Sequence, residues 1–161
     1  MKNLMKMVRW CFRMVHSLNK GKSFERDIAN MLSRMTGAKF LRVPMSGGFA
    51  TTNKSNDARF DGDVFSENDL FKDLVIECKN HAIDINLNDL NSEKSVFWSW
   101  VNQAVNESQG KRWLLFIKLT RKGTYLACKN TTSLEPLGIL TKRFVTLTRN
   151  NNLTVKITKL K

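Results

Sequence analysis

An α/β fold is expected from this sequence. Apolar residues recur at helical spacing in two segments, near residues 23–35 and 93–109, and short β-rich runs lie between and after them. No internal repeat, low-complexity tract or linker interrupts residues 23–129, so helices and strands should share one core. A chain of 161 residues has room for one domain with appendages. Its 42% apolar and 25% charged residues exclude wholesale disorder, a collagen-like repeat and a coiled-coil rod.

At the N-terminus, Lys2, Lys6, Arg9 and Arg13, continued by His16 and Lys20, lie opposite Leu4, Val8, Cys11, Val15 and Leu18. That spacing predicts a basic amphipathic helix, read as an arm over residues 1–20 that grips nucleic acid or packs on the core. A membrane-surface helix, an organellar leader and a dimer arm fit the same pattern, and Met14 offers an alternative start. Lys6, Arg9 and Arg13 break the apolar run that a secretory signal needs. After a polar break at Asn19 to Lys22, a second helix over 23–35 begins with Ser23 as N-cap. Phe24, Ile28, Met31, Leu32 and Met35 form its stripe, and Gly37 stops it.

Ala38 to Val43 reads as a strand, and Pro44 to Asn56 as a loop of Gly, Ser, Thr and Asn. Phe60 to Phe65 and Leu74 to Lys79 read as a hairpin around Ser66 to Asp73. Residues 82–91 form a polar connection with no assigned element. A helix over 93–109 aligns Phe97, Val101, Ala104 and Val105. Strands follow at Trp113 to Leu119 and Thr124 to Cys128 around the turn Arg121 to Gly123. Arg143 to Thr148 and Leu153 to Leu160 are expected to pair around Asn150 to Asn152. The reading therefore divides the chain into the arm, a core over 21–129 and a basic extension over 130–161.

Charge is the compositional outlier, at +13 with a pI near 10. Such a bias points to a polyanion, nucleic acid or an acidic membrane surface. Residues 1–22 carry six Lys or Arg and no acid, residues 111–161 carry twelve against Glu135 alone, and residues 23–110 carry nine against thirteen acids. An acid-enriched middle inside a basic surround suits an enzyme that holds a divalent cation against a phosphate, although solvated surface acids give the same count. Cys11, Cys78 and Cys128 have no CxxC or His-paired spacing, which argues against a disulfide framework or structural zinc and for a reducing cytoplasm. No run approaches the roughly 18 apolar residues of a membrane span.

Asp63, Glu77 and Lys79 carry the chemistry. In a strand, Glu77 and Lys79 share one face and Cys78 takes the other, towards the core. A hairpin turning about Leu70 sets Asp63 across from Glu77, with Cβ atoms roughly 4.5–5.5 Å apart. Two carboxylates that close repel unless a cation lies between them. Mg²⁺ prefers such hard oxygen ligands, and Lys79 stands ready to orient water or offset charge on a phosphate. Glu25, one turn into the 23–35 helix, is a candidate third carboxylate. Each residue alone has a plainer reading: turn acids beside Gly62, an edge-strand charge pair, an acid favoured by the helix dipole.

Asp63, thirteen residues, then Glu77-Cys78-Lys79 resembles the PD-(D/E)xK nuclease signature, and GKSFERDIANML followed by FLRVPMSGG resembles the opening of the archaeal-type Holliday-junction resolvases, also found in phages. The likeness spans about Gly21 to Leu119. It implies a restriction-endonuclease-like central mixed sheet flanked by helices, a homodimer with two active sites, and Mg²⁺-dependent incision of branched DNA, with Mn²⁺ able to substitute and no small-molecule cofactor. By that resemblance Glu25, Asp63 and Glu77 are metal-holding and catalytic, Lys79 is catalytic, and Ser46 is the serine of the mobile loop. The motif usually has proline where this chain has Gly62, which admits Asp61 as a rival to Asp63.

DNA contacts are expected from Arg42, Ser46, Gly47, Gly48, Lys54 and Arg59 on or beside the loop, and from Lys111, Arg112, Lys118, Arg121 and Lys122. Trp98, Trp100 and Gln103 fit stacking on DNA or a dimer interface, but aromatics at helical spacing are more often core. His16 and His81 are too isolated to act as ligands. The functional expectation is a structure-selective DNA endonuclease that resolves Holliday junctions. The alternatives are a duplex-cutting restriction- or repair-type nuclease of the same fold, and a non-catalytic basic DNA-binding protein.

Overall fold

Lys2–Thr36 forms one uninterrupted helix, α1, with no break at Asn19 to Lys22 and no new start at Ser23. A single helical glycine, Gly21, costs about 1 kcal/mol relative to alanine. The following turns bury Phe24, Ile28 and Leu32, each contributing roughly 1.5–3 kcal/mol, so the helix continues through the glycine. It ends where Gly37 takes φ +70 and donates its N–H to Ser33 O at 3.0 Å, a conformation that favours glycine. The computed structural model describes residues 2–44, 61–82, 85–92, 94–139, 143–149 and 152–160. The side chains of residues 2–18, and so the expected basic face, lie outside that set.

Among the described residues seven strands follow in one mixed sheet: β1 Phe40–Arg42, β2 Val64–Ser66, β3 Leu74–His81, β4 Arg112–Leu119, β5 Gly123–Cys128, β6 Val145–Thr148 and β7 Thr154–Lys159. Their spatial order is β1-β2-β3-β4-β5-β7-β6. β3 and β4 run parallel, and each other neighbouring pair is antiparallel. The parallel pair needs a crossover, supplied by α2 Leu87–Asn91 and α3 Val96–Ser108. The sequence pattern marks no element at α2, yet Asn86 and Asp89 form a reciprocal capping box with bonds of 3.0 and 2.9 Å. The tail pairs as expected around Asn150 to Asn152, and it joins the main sheet through β7 on β5. Leu134, Leu137 and Val155 beyond residue 129 are buried.

The alternation along β3 separates two apolar layers. Ile76 and Cys78 join Phe24, Ile28 and Leu32 of α1, with Leu114, Phe116, Leu134 and Leu137. Val75 joins Phe97, Trp98, Val101 and Ala104 of α3, with Trp113, Leu115 and Ile117. Trp98 and Trp100 are buried, and the Trp98 indole N–H donates to Leu90 O at 2.8 Å. These rings are core, not a stacking platform for DNA. No described helix is long and apolar enough to cross a membrane.

Candidate active site

Strand β2 delivers its acid to β3 through a tight backbone junction. Val64 pairs with Ile76, the register expected of a hairpin centred near residue 70, so one step further along Asp63 comes beside Glu77. The Asp63 N–H donates to Ile76 O at 2.8 Å, and its carbonyl accepts the Val43 N–H at 2.9 Å. The side chain is fixed as well, since Oδ2 accepts the backbone N–H of Cys78 at 2.9 Å. Gly62 makes this approach possible. It holds φ +90, and a Cβ there would meet Ile76 O at 2.7 Å, so neither proline nor any other L residue fits without movement. Asp61 is engaged elsewhere, accepting from Lys111 Nζ at 3.1 Å.

Glu77 is 2% exposed, and its Oε2 accepts from Lys79 Nζ at 3.1 Å and from Gln103 Nε2 of α3 at 3.3 Å. Burial pushes its carboxyl up to about 9, helped by a hydrogen bond with Glu107 and the charge of Asp63, against the opposing Lys79 ammonium. Burial likewise pushes the Cys78 thiol well up, and the carboxylates of Asp63, Glu77 and Glu25 push it further. The negative charge of all three acids is thus felt at one point on β3.

Asp63, Glu77 and Lys79 are brought together at the β2–β3 junction. Glu25 approaches from α1, on the opposite layer to α3, and is tied to Arg42 Nε of β1. Arg112 forms a two-pronged bond to Asp73 and a further one to Leu70 O. Three of the expected DNA-binding cations, Arg42, Lys111 and Arg112, therefore each hold an acid. Ser46, Gly47, Gly48, Lys54 and Arg59 lie outside the described residues. Glu107 was not singled out from the sequence; its position four residues after Gln103, on the helix that packs over the ExK strand, was the available signal.

Among the described residues, no group of three or more acidic, histidine or cysteine side chains is drawn together tightly enough to hold a metal ion. The neighbouring carboxyl groups of Asp63 and Glu77, the latter raised chiefly by burial and further by Glu107 and the charge of Asp63, nevertheless suit a hard divalent cation, which can take one or two protein carboxylates and leave its other positions to water and phosphate.

A mixed sheet flanked by helices on both faces, with an acid on one strand and Glu-x-Lys on the next, is a restriction-endonuclease-like α/β fold. Over residues 16–159 the chain matches the family described as "Phage putative PDDEXK endonuclease", and it belongs to that family of PD-(D/E)xK endonucleases. The matched span extends past both ends of the 21–129 core read from the sequence. No curated protein and no solved structure matches the chain.

Proposed function

We propose that the chain is a structure-selective DNA endonuclease that incises four-way junctions as a homodimer, using Mg²⁺, or Mn²⁺ in its place. The observation that carries this reading is the fixed neighbourhood of Asp63 and Glu77, with Lys79 bonded to the same Glu77 oxygen. Asp63 and Glu77 would hold the ion, and Glu25 would join them on leaving Arg42. The bound ion supplies Lewis-acid polarisation of the scissile phosphate and an acidified water. Lys79, only 19% exposed at its side chain, orients the attacking water and offsets charge that accumulates on the phosphate oxygens. Cys78 contributes through its backbone N–H, which keeps Asp63 turned towards Glu77.

The strongly basic remainder supplies attraction to the DNA backbone, so binding should weaken with salt. In this reading residues 1–20 and the strands after residue 129 widen the phosphate-facing surface around the 21–129 core. Arg42 and Lys111 would exchange their carboxylates for phosphates on binding. Junction preference comes from the resemblance to resolvases and from the spacing of two sites in a dimer. Incubation of a synthetic four-way junction and a linear duplex with Mg²⁺ tests it. Incision confined to the junction and absent in Glu77→Gln is the expected result. Equal cutting of the duplex would move the assignment to a restriction- or repair-type enzyme, and intact strands would leave only a basic DNA-binding protein.

A further inference from the structure

The amide of Gln103 sits between two carboxylates. Its Nε2 donates to Glu77 Oε2 at 3.3 Å and to Glu107 Oε1 at 2.8 Å. An amide flipped end for end would set its oxygen against Glu107 Oε1, so the bond to Glu107 favours the orientation in which the amide nitrogen faces Glu77. Glu107 thereby selects the face that Gln103 presents to Glu77. Gln103 lies at the exposed surface of α3, where an untethered side chain would sample several rotamers; the shorter bond to Glu107, one helical turn on, limits that freedom. Lys79 Nζ reaches the same Oε2 at 3.1 Å. These two donors on one oxygen, together with the hydrogen bond shared with Glu107, set the rotation of the Glu77 carboxylate.

From this geometry we infer that Gln103, oriented by Glu107, is a positioning residue that sets the Glu77 carboxylate for divalent-cation binding. The inference rests on the nuclease reading above. Partners behind a ligating carboxylate of this kind change metal affinity or activity by roughly 10–100-fold when removed. Glu107 also shares a hydrogen bond with Glu77, so its loss frees the amide and loosens the carboxylate while leaving the Gln103 donor in place, and should matter less.

Mn²⁺ titrated into the full-length chain, with free Mn²⁺ read by electron paramagnetic resonance, separates the alternatives. Asp63→Asn should abolish tight Mn²⁺ binding, Gln103→Ala should weaken it about tenfold, and Glu107→Gln should weaken it by a smaller factor. Thermal midpoints and junction affinity in EDTA should stay at wild-type values for both α3 variants. Unchanged Mn²⁺ binding in Gln103→Ala, with Asp63→Asn impaired, would overturn the positioning role and leave the nuclease reading intact. A Gln103→Ala protein that loses DNA affinity but titrates normally would make Gln103 a DNA contact instead. Wild-type protein that binds no Mn²⁺, or Asp63→Asn that binds it normally, would overturn the metal-site reading and this inference with it.

Discussion

The carboxylate of Asp63 accepts the backbone N–H of Cys78 across fifteen residues of chain, at 2.9 Å. This bond ties the end of β2 to the strand that carries Glu77 and Lys79, and does so with the same side chain that the nuclease reading gives to the metal. One oxygen therefore has a structural partner, and the other is the one available for chemistry.

Two substitutions separate those duties. In Asp63→Asn the amide oxygen still accepts from Cys78, so the fold should hold while incision falls by roughly a hundredfold or more, the range seen when a principal electrostatic group is removed. Asp63→Ala leaves the Cys78 N–H without its partner and should also destabilise by about 1–3 kcal/mol. Melting curves beside single-turnover cleavage would check both. An active Asp63→Asn would shift the catalytic role to Asp61.

Glu77 makes stability depend on pH. Its carboxyl is raised from 4.5 to about 9 in the folded chain, chiefly by burial. Between these values the unfolded chain has released a proton that the folded chain retains, so stability falls as pH rises. The contribution is fully present below about 4.5 and gone once pH passes the folded value. The metal-free thermal midpoint should drop by on the order of 5 °C between pH 6 and 9, and Glu77→Gln should flatten that slope. A wild-type midpoint constant over this range would contradict the assignment.

Arg112, an expected DNA contact, has its guanidinium on Asp73 and Leu70 O in the DNA-free chain. Asp73 is held below its usual range by the hydrogen bond from Arg112, so the pair's contribution is present above pH 3.8 and fades as pH falls through the lower folded value. Both side chains are substantially exposed, which limits an ion pair to about 1 kcal/mol or less. Arg112→Ala should therefore lower the thermal midpoint slightly and leave the salt dependence of DNA binding close to wild type. A slope reduced by about one unit would instead make Arg112 a phosphate contact.

Much of this was legible in one sequence because two periodicities coincided with chemistry. The β3 alternation placed Glu77 and Lys79 on one face and Cys78 on the other, and the hairpin arithmetic about residue 70 brought Asp63 beside Glu77. What escaped were relations between elements. Nothing in the local pattern said that Arg42 would meet Glu25, or that Gln103 and Glu107 would reach over β3, since these depend on how α1 and α3 dock. Asn86 and Asp89 did carry a local signal for α2, but only five helical residues follow it, too few for a periodicity. The polar residues Asn19 to Lys22 suggest a break, but the burial of Phe24, Ile28 and Leu32 in the next turns outweighs them.

That continuous helix can be tested at Gly21. The residue is helical, and a Cβ there would meet only Glu25 Oε1, at 3.9 Å, an ordinary contact. Gly21→Ala should stabilise the protein by about 0.4–1 kcal/mol, mainly by restricting the unfolded chain. Gly21→Pro removes a helical N–H and collides with the preceding turn, and should destabilise by about 3 kcal/mol or more if residues 2–20 are wound onto the same helix as Phe24 and Ile28. Were the sequence-based break at Asn19 to Lys22 real, proline would sit there at little cost. Thermal melts and helical circular dichroism of the two variants distinguish the cases, because only a single helix makes alanine and proline move the midpoint in opposite directions.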